Sequence, residues 1–461
     1  MVPLSTLERY RSQARHALRR PPRLTASNLL IVYLCLLFLL PARLVVTGLG
    51  GAGRPAVIAG LGLLAWWIFW RLAPGLSRPR TQPVHALLLV FTLVLFLAYA
   101  LGFDRGLLPL EARSTDRFLL SLGSWLGVAL VAADGLRHRA EVYKVVKAVT
   151  LLAGFSAALG VLQFYGLDLV PYLRLPGLQY NLQLVGLGQR GGPGFSRVYG
   201  TQQHYIEFGV VLAMVLPLAL HRALFARSKA SARRRWVLLA LVASAIPFSI
   251  SRAGFLGLVV GLLVLASIWR GRVLRRAAVV AVVGLAAFRL VNPGVLGTIR
   301  SSFLNFDNDP SIAGRREDYE AVAMYFWDRP WFGRGPGTFV PEIYRVLDNQ
   351  LLVSLLELGV IGTIALCALF TGMFGLGRQV RKLGRDEFDV HLGQAMAATA
   401  AVALLASFTF DSLTFPTFAG LFFLLLGLVA ALRRTIDADG STAPTQFSRV
   451  RGAAEMTRGL R

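Results

Sequence analysis

Long apolar runs, broken at near-regular intervals by short arginine-bearing stretches, constrain this chain more than any motif in it. A bilayer span needs roughly 17–25 mostly apolar residues. Read with that window, the sequence offers about twelve, at 28–46, 55–72, 84–102, 117–134, 143–166, 204–222, 236–250, 253–270, 273–291, 351–374, 394–410 and 415–432. In hydrocarbon each backbone N–H and C=O must find its partner within the protein, so such runs form helices. The expected fold class is all-α: a polytopic membrane helix bundle of about 12 transmembrane helices, with a long outer loop containing a short amphipathic helix. Charged residues make up only 16% of the chain, against about 25% in soluble domains.

The net charge of +25 raises the question of nucleic acid, and where the charge sits answers it. Arg9, Arg11, Arg15, Arg19, Arg20 and Arg23 precede the first run, and Arg71, Arg78 and Arg80 follow the second. Every second break repeats the pattern, through Arg137–Lys147, Arg222–Arg235, Arg270–Arg276, Arg378–Arg385 and Arg433–Arg434. The intervening breaks are poor in Lys and Arg or balanced by acids, and lysine occurs only on the basic side. Short basic loops stay in the cytoplasm, which puts both termini there and the remaining loops outside. The charge is thus spread over loops rather than gathered on one face, and no nucleic-acid partner is expected. The N-terminus lacks a cleavage pattern, so the first run is expected to remain as an anchor. Residues 1–27 form a cytoplasmic N-tail, 28–436 the transmembrane domain, and 437–461 a polar, disordered cytoplasmic tail. Cys35 and Cys367 lie inside apolar runs and suggest neither a disulfide framework nor a metal site.

Four outer segments carry what polarity remains: residues 167–203, the connection Ser249–Gly254, the loop 292–350, and the turn at Asp411–Ser412. Within the loop, residues 313–327 place Arg315, Arg316, Glu317, Asp318 and Glu320 ahead of Val322, Met324, Tyr325 and Phe326, the pattern of a helix lying along a membrane surface. The stretch Pro330–Gly337 then breaks helix, and its glycines allow a backbone to approach a ligand closely. A plain linker is the alternative.

Arg197 precedes the sixth run, and Arg252 sits between the seventh and eighth with almost no loop around it. An ionisable group at such depth is costly and usually faces a bundle interior or wet cavity. Guanidinium forks onto phosphate oxygens, and the outer face of a bacterial-type membrane displays a lipid diphosphate. Arg197, Arg252 and Arg315 share that face and could hold such a dianion and stabilise it as a leaving group. Alternatively each snorkels to a headgroup; Arg289 either pairs with an acid or points to headgroups. His204 and Glu207 share a helical face but lack the further ligands a metal site needs. Gly48–Gly53 matches GxGxxG without a preceding strand, so it is no nucleotide site. Gly257 and Gly261 read as helix packing.

Four elements in order resemble the O-antigen ligase and polymerase family. Arg197-Val-Tyr-Gly200-Thr201 followed by His204-Tyr-Ile-Glu207-Phe-Gly209 is similar to its R-x-x-G-T…H-P-x-E-F-G, with Tyr205 in place of the proline. Ser251-Arg252-Ala-Gly254-Phe-Leu-Gly257 resembles its S-R-[AG] element, Pro330-Trp-Phe-Gly333-Arg-Gly335-Pro-Gly337 its P-x-x-G-x-G-x-G, and Asp348-Asn349 with Glu357-Leu-Gly359 its [HD]-N…E-x-G. The matches span about 190–365; the first five runs match only in hydropathy.

The resemblance implies a metal-independent membrane glycosyltransferase of the C type. Such an enzyme moves a saccharide from a polyprenyl-diphosphate donor to an acceptor hydroxyl, on a glycan or lipid-linked acceptor, at the outer face of the plasma membrane. No cofactor is implied. Arg197 and Arg252 would hold the diphosphate, with Arg315 and Asn349 also in the substrate site. Where the ligase branch has histidine before the asparagine this chain has Asp348, which favours polymerisation or a different acceptor over ligation to a lipid A core. Asp348, or His204 or Glu320, would take the acceptor's proton. A transporter or flippase would need broken or charged helices at the bilayer midplane, and few acids lie there. A non-catalytic envelope scaffold is the third reading.

Overall fold

The computed structural model describes residues 25–73, 81–181, 197–304 and 310–441. Among them the chain forms helices α1 (Ala26–Phe38), α2 (Pro55–Leu72), α3 (Pro83–Asp104), α4 (Pro109–Gly135), α5 (Arg139–Phe164), α6 (Tyr205–Leu224) and α7 (Lys229–Phe248). These are followed by α8 (Arg252–Ala266), α9 (Arg272–Val291), α10 (Pro293–Leu304), α11 (Pro310–Phe326), α12 (Gln350–Leu383), α13 (Glu387–Ser407) and α14 (Pro416–Ser441). The only regular sheet among these residues is an antiparallel pair, β1 (Leu44–Val46) with β2 (Leu178–Tyr180), in register Val45 to Gln179.

Eight helices are long and apolar enough to cross a bilayer: α2 to α6, α12, α13 and the Pro416–Ala438 part of α14. The other four expected runs are also helical but differ from a full span. α8 is apolar but has only 15 residues, and α7 and α9 open on clustered arginines. The first run, expected over 28–46, stops as helix at Phe38. Pro41 cannot continue it, and the chain turns into β1, which pairs with the loop after α5. At the other end, helix continues through Ser441; the tail from 442 and the N-tail to 24 lie outside the described residues.

The bundle is organised around α14, whose residues from Phe418 to Leu432 are almost all buried. It packs on α4 and α12, with the Trp125 and Phe423 rings stacked at 5.2 Å. α6, α8 and α13 form a second packed group. Gly209 of α6 and Gly254 of α8 let the two backbones meet, since a methyl on Gly254 would lie 3.0 Å from the Gly209 backbone. Gly257 and Gly261 lie against Ala213, Pro217 and Val402, which is helix packing.

The long loop is folded onto the bundle. α11 turns Asp318, Val322 and Tyr325 inward, and a small core of Val322, Phe339, Leu347 and Leu356 holds it. The glycine-rich stretch pairs with a break in α12. Arg334 N–H donates to Leu356 C=O at 2.9 Å, Gly335 N–H to Glu357 C=O at 2.9 Å, and Val360 N–H to Pro330 C=O at 2.8 Å. The Glu357 carboxylate accepts from the Gly337 and Phe339 N–H groups at 2.9 and 3.1 Å. Gly333 (φ 70°) and Gly359 (φ 66°) make this close approach; a methyl on either would sit 2.3 Å from the facing backbone. Arg105 extends the anchoring, donating to Arg334 C=O and to Glu111, which also accepts from the Tyr344 hydroxyl at 2.7 Å.

Gly359→Ala is therefore expected to release the glycine-rich stretch while leaving the bundle helical. Limited proteolysis of the purified chain should cut within 328–345 at least about tenfold faster than in wild type, with helical circular dichroism unchanged. Equal cleavage rates would show that the pairing does not hold the loop.

Candidate functional site

A helix begins with N–H groups that have no partner inside it. Four helices, α6, α8, α12 and α14, begin close together at the end of the bundle that bears the long loop. Gly209 and Gly254 join the first two. Glu207, fully buried, joins α6 to α14: its carboxylate accepts from Thr417 N–H at 2.7 Å, Phe418 N–H at 3.1 Å and Gln203 N–H at 2.8 Å. α12 is tied to the turn before α14, because Gln350 N–H donates to Phe410 C=O at 3.1 Å and Leu413 N–H to the Gln350 side chain at 2.7 Å.

Each start is capped by a side chain. His204 Nδ1 accepts from Ile206 N–H at 3.3 Å, and Ser251 Oγ from Gly254 N–H at 3.3 Å. Asn349 Oδ1 accepts from Leu351 and Leu352 N–H at 2.9 and 3.3 Å. The polar residues of three motif elements, His204, Ser251 and Asn349, thus have a local structural role. Glu207, which the sequence offered as a partner of His204 on one helical face, instead serves α14.

Around these helix starts lie the arginines. Arg197, half-buried, donates to the Tyr205 hydroxyl at 2.5 Å and lies 4.6 Å over that ring. Arg252 is the first residue of α8, also half-buried. It is delivered there by the buried connector Ser249-Ile250-Ser251, in which Ile250 has φ 46°. A β-branched residue in the left-handed region is strained by about 1–3 kcal/mol, so the surrounding packing holds this turn against its own preference. Arg315 belongs to α11, but its side chain lies outside the described ones. Arg289 is exposed on α9.

Two arginines here were not anticipated. Buried Arg43 donates to Gln203 C=O at 2.9 and 3.3 Å and lies 4.7 Å over the Tyr199 ring. Arg54 donates to the Gln203 side chain at 2.8 Å and to Ala42 C=O at 3.0 Å. Burial draws the Arg54 guanidinium down to about 10, with the Glu207 carboxylate opposing that fall; at neutral pH it stays charged. Their signal in the sequence is slight: Arg43 lies within the first apolar run and Arg54 ends the short break that follows it.

The acids stand beside this group. Asp348 is exposed at the end of the loop, and its backbone N–H donates to Asp318, which also pairs with Arg345 at 2.9 Å. Burial pushes the Asp318 carboxyl above its ordinary value, against the pull of Arg345. Asp411, half-buried in the turn before α14, is pushed up to about 7 by burial and then by the negative charge of Asp348. Phe415, four residues on, packs its ring 5.8 Å from that of His204 and 5.2 Å from that of Phe410. The structure therefore brings Arg197, His204, Arg252, Asp348 and Asn349 to one end of the bundle, adds Arg43, Arg54 and Asp411, and leaves Glu320 exposed on α11. Converging helix N-termini carry partial positive charge, so with the arginines they favour an anion, while Asp348 and Asp411 supply carboxylates for a proton.

The O-antigen ligase family model matches residues 236–367, from α7 into α12, a stretch that holds Arg252, Asp348, Asn349 and Glu357 but not Arg197, His204 or Asp411. No curated protein matches the chain.

If Asn349 serves as a cap, Asn349→Ala should lower stability by about 1 kcal/mol and Asn349→Ser should restore most of it. Thermal unfolding of the detergent-purified chain measures this. Equal loss in both variants would contradict the capping role.

Proposed function

We propose that this chain, a multi-pass membrane protein of the O-antigen ligase and polymerase family by its match over residues 236–367, transfers a saccharide from a polyprenyl-diphosphate donor to an acceptor hydroxyl. The observation that carries the reading is the grouping of Arg197 and Arg252 with four helix N-termini, and of Asp348 and Asp411 beside them. All twelve apolar runs are taken as membrane-embedded, with both termini cytoplasmic and the loop-bearing end outward, as the alternation of arginine supports.

In the proposed reaction the acceptor oxygen attacks the anomeric carbon from the face opposite the diphosphate. The new glycosidic bond forms as the bond from that carbon to the diphosphate oxygen breaks, with inversion. The bonding pair leaves with the diphosphate, whose charge Arg197 and Arg252 stabilise. The hydroxyl proton passes to a carboxylate of the Asp348–Asp411 pair. The docked loop, held by Glu357 and the glycine stretch, keeps water from the donor. Asp348, standing where the ligase branch has histidine, supports polymerisation or an acceptor other than a lipid A core.

Arg252→Ala and Arg197→Ala should each reduce transfer by about 10²–10³-fold. In a strain lacking this protein, complementation with either variant should leave lipid-linked saccharide accumulated and surface glycan short or absent. Normal glycan with the variant present in the membrane would overturn the proposal. The pH profile is a second test. A base acts deprotonated, so transfer should rise with pH through about 7, where Asp411 titrates. Asp411→Asn should remove that inflection. Asp348→Asn, by removing the negative charge that raises Asp411, should move it to lower pH. An inflection unmoved by both variants would exclude the pair.

A further inference from the structure

Along the inward face of α11, Asp318, Val322 and Tyr325 recur at i, i+4 and i+7. Val322 and Tyr325 meet the apolar core of the loop, with Phe339 and Leu347. Asp318 heads the same stripe as a carboxylate and is only 5% exposed, whereas its neighbours Glu317, Tyr319 and Glu320 face outward. Burying a charge is costly, and a buried ion pair can often be replaced by apolar residues without loss of stability. A leucine at 318 would extend the core of the loop, so packing alone does not account for an acid here.

What Asp318 holds is the segment that carries Asp348. Its carboxylate pairs with the Arg345 guanidinium at 2.9 Å and accepts from the Asp348 backbone N–H. Between those two points Leu347 is buried in the loop core. Immediately beyond, Asn349 caps the start of α12, and Gln350 N–H donates to Phe410 C=O at 3.1 Å. Asp411 is the residue after Phe410. The segment from Arg345 to Gln350 is therefore pinned to α11 on one side and to the Asp411 turn on the other. Within it the Asp348 side chain stays exposed: its backbone is fixed and its carboxylate is open to an incoming group.

We propose that Asp318 is a positioning residue: by holding Arg345 and the Asp348 backbone it sets the Asp348 carboxylate in place beside Asp411, and so makes the docking of α11 a condition for proton removal. This rests on the function proposed above and adds to it the residue that places its carboxylates. Asp318 itself is buried and engaged by Arg345 and the Asp348 N–H, so it acts through Asp348 and not on the acceptor. A displacement of about 1 Å in a reacting group can cost about 10²-fold in rate, so a clamp on the backbone of Asp348 has a large effect on transfer.

The test uses the full chain in nanodiscs and the variant Asp318→Leu, which keeps α11 docked by packing but removes the acceptor. Hydrogen exchange reads the clamp without substrate. It should become at least about tenfold faster over 345–350 while staying within about threefold over 320–327. Turnover of lipid-linked saccharide from the native membrane reads the role. Asp318→Leu should lower kcat by about tenfold or more and leave the donor KM within about twofold. Asp318→Asn, whose side-chain carbonyl still accepts from the Asp348 N–H, should recover kcat to within about threefold of wild type. In an Asp348→Asn background, Asp318→Leu should cost no more than about twofold further, because the group it positions is gone. Unchanged exchange over 345–350 would overturn the clamp, and equally faster exchange over both stretches would make Asp318 a holder of α11 alone. An unaffected kcat, or an equal loss with and without Asp348, would overturn the positioning role. So would an unchanged kcat in Asp348→Asn alone, with transfer itself still standing. A wild-type chain that releases no diphosphate would instead bring down the proposed function, and the positioning role with it.

Discussion

The starts of the helices govern this structure. Each helix leaves N–H groups unmet at its beginning, and within a bilayer water is not there to meet them. The chain gathers four such starts at one end and satisfies them with His204, Ser251, Asn349 and the buried Glu207 carboxylate. Glu207 matters most, because its three accepted hydrogen bonds join α6, the preceding Gln203 turn and α14 through one side chain. A charge buried this deeply is stable only when fully hydrogen-bonded. Its geometry therefore fixes how α6 and α14 meet, and with them the positions of His204 and of the Asp411 turn.

The proposed function draws on what that gathering does to charge. Four positive helix ends brought together favour an anion, and Arg43 and Arg54 hold the Gln203 turn through its carbonyl and its side chain. Burial, which disfavours charge on Asp411, pushes its titration up to about 7, where the proposed proton acceptor would need it. The loop adds cover without adding a large core of its own. It is held by backbone pairing to the break at Gly359, a form of attachment that needs glycine on both sides.

Much of this was legible in the sequence because it is local or periodic. The apolar runs, the alternation of arginine, and the placement of Arg197, Arg252 and Asp348 near one face all depend on short stretches read in order. The family resemblance lay in equally short elements, and the O-antigen ligase match covers three of the four. What escaped depends on distant partners. Arg43 reaches a carbonyl 160 positions away and Glu207 a helix start some 210 positions away; no spacing rule announces either. The early end of α1 was readable in Pro41 but was outweighed by hydropathy. That α9 is exposed along almost its whole length could not be read from the sequence, since an apolar run opening on arginines is equally the pattern of α7, which buries residues at its far end.

The central claim is that a glycosidic transfer occurs with departure of a lipid diphosphate. The most direct measurement reconstitutes the purified chain in vesicles with lipid-linked saccharide from its native membrane and quantifies free polyprenyl diphosphate against glycan lengthened or joined to an acceptor, with chelator present and no nucleotide sugar. The account predicts that the two products appear in equal amounts and that both vanish with Arg252→Ala. Movement of intact lipid-linked saccharide across the bilayer, with no diphosphate released, would contradict it and make the chain a transporter.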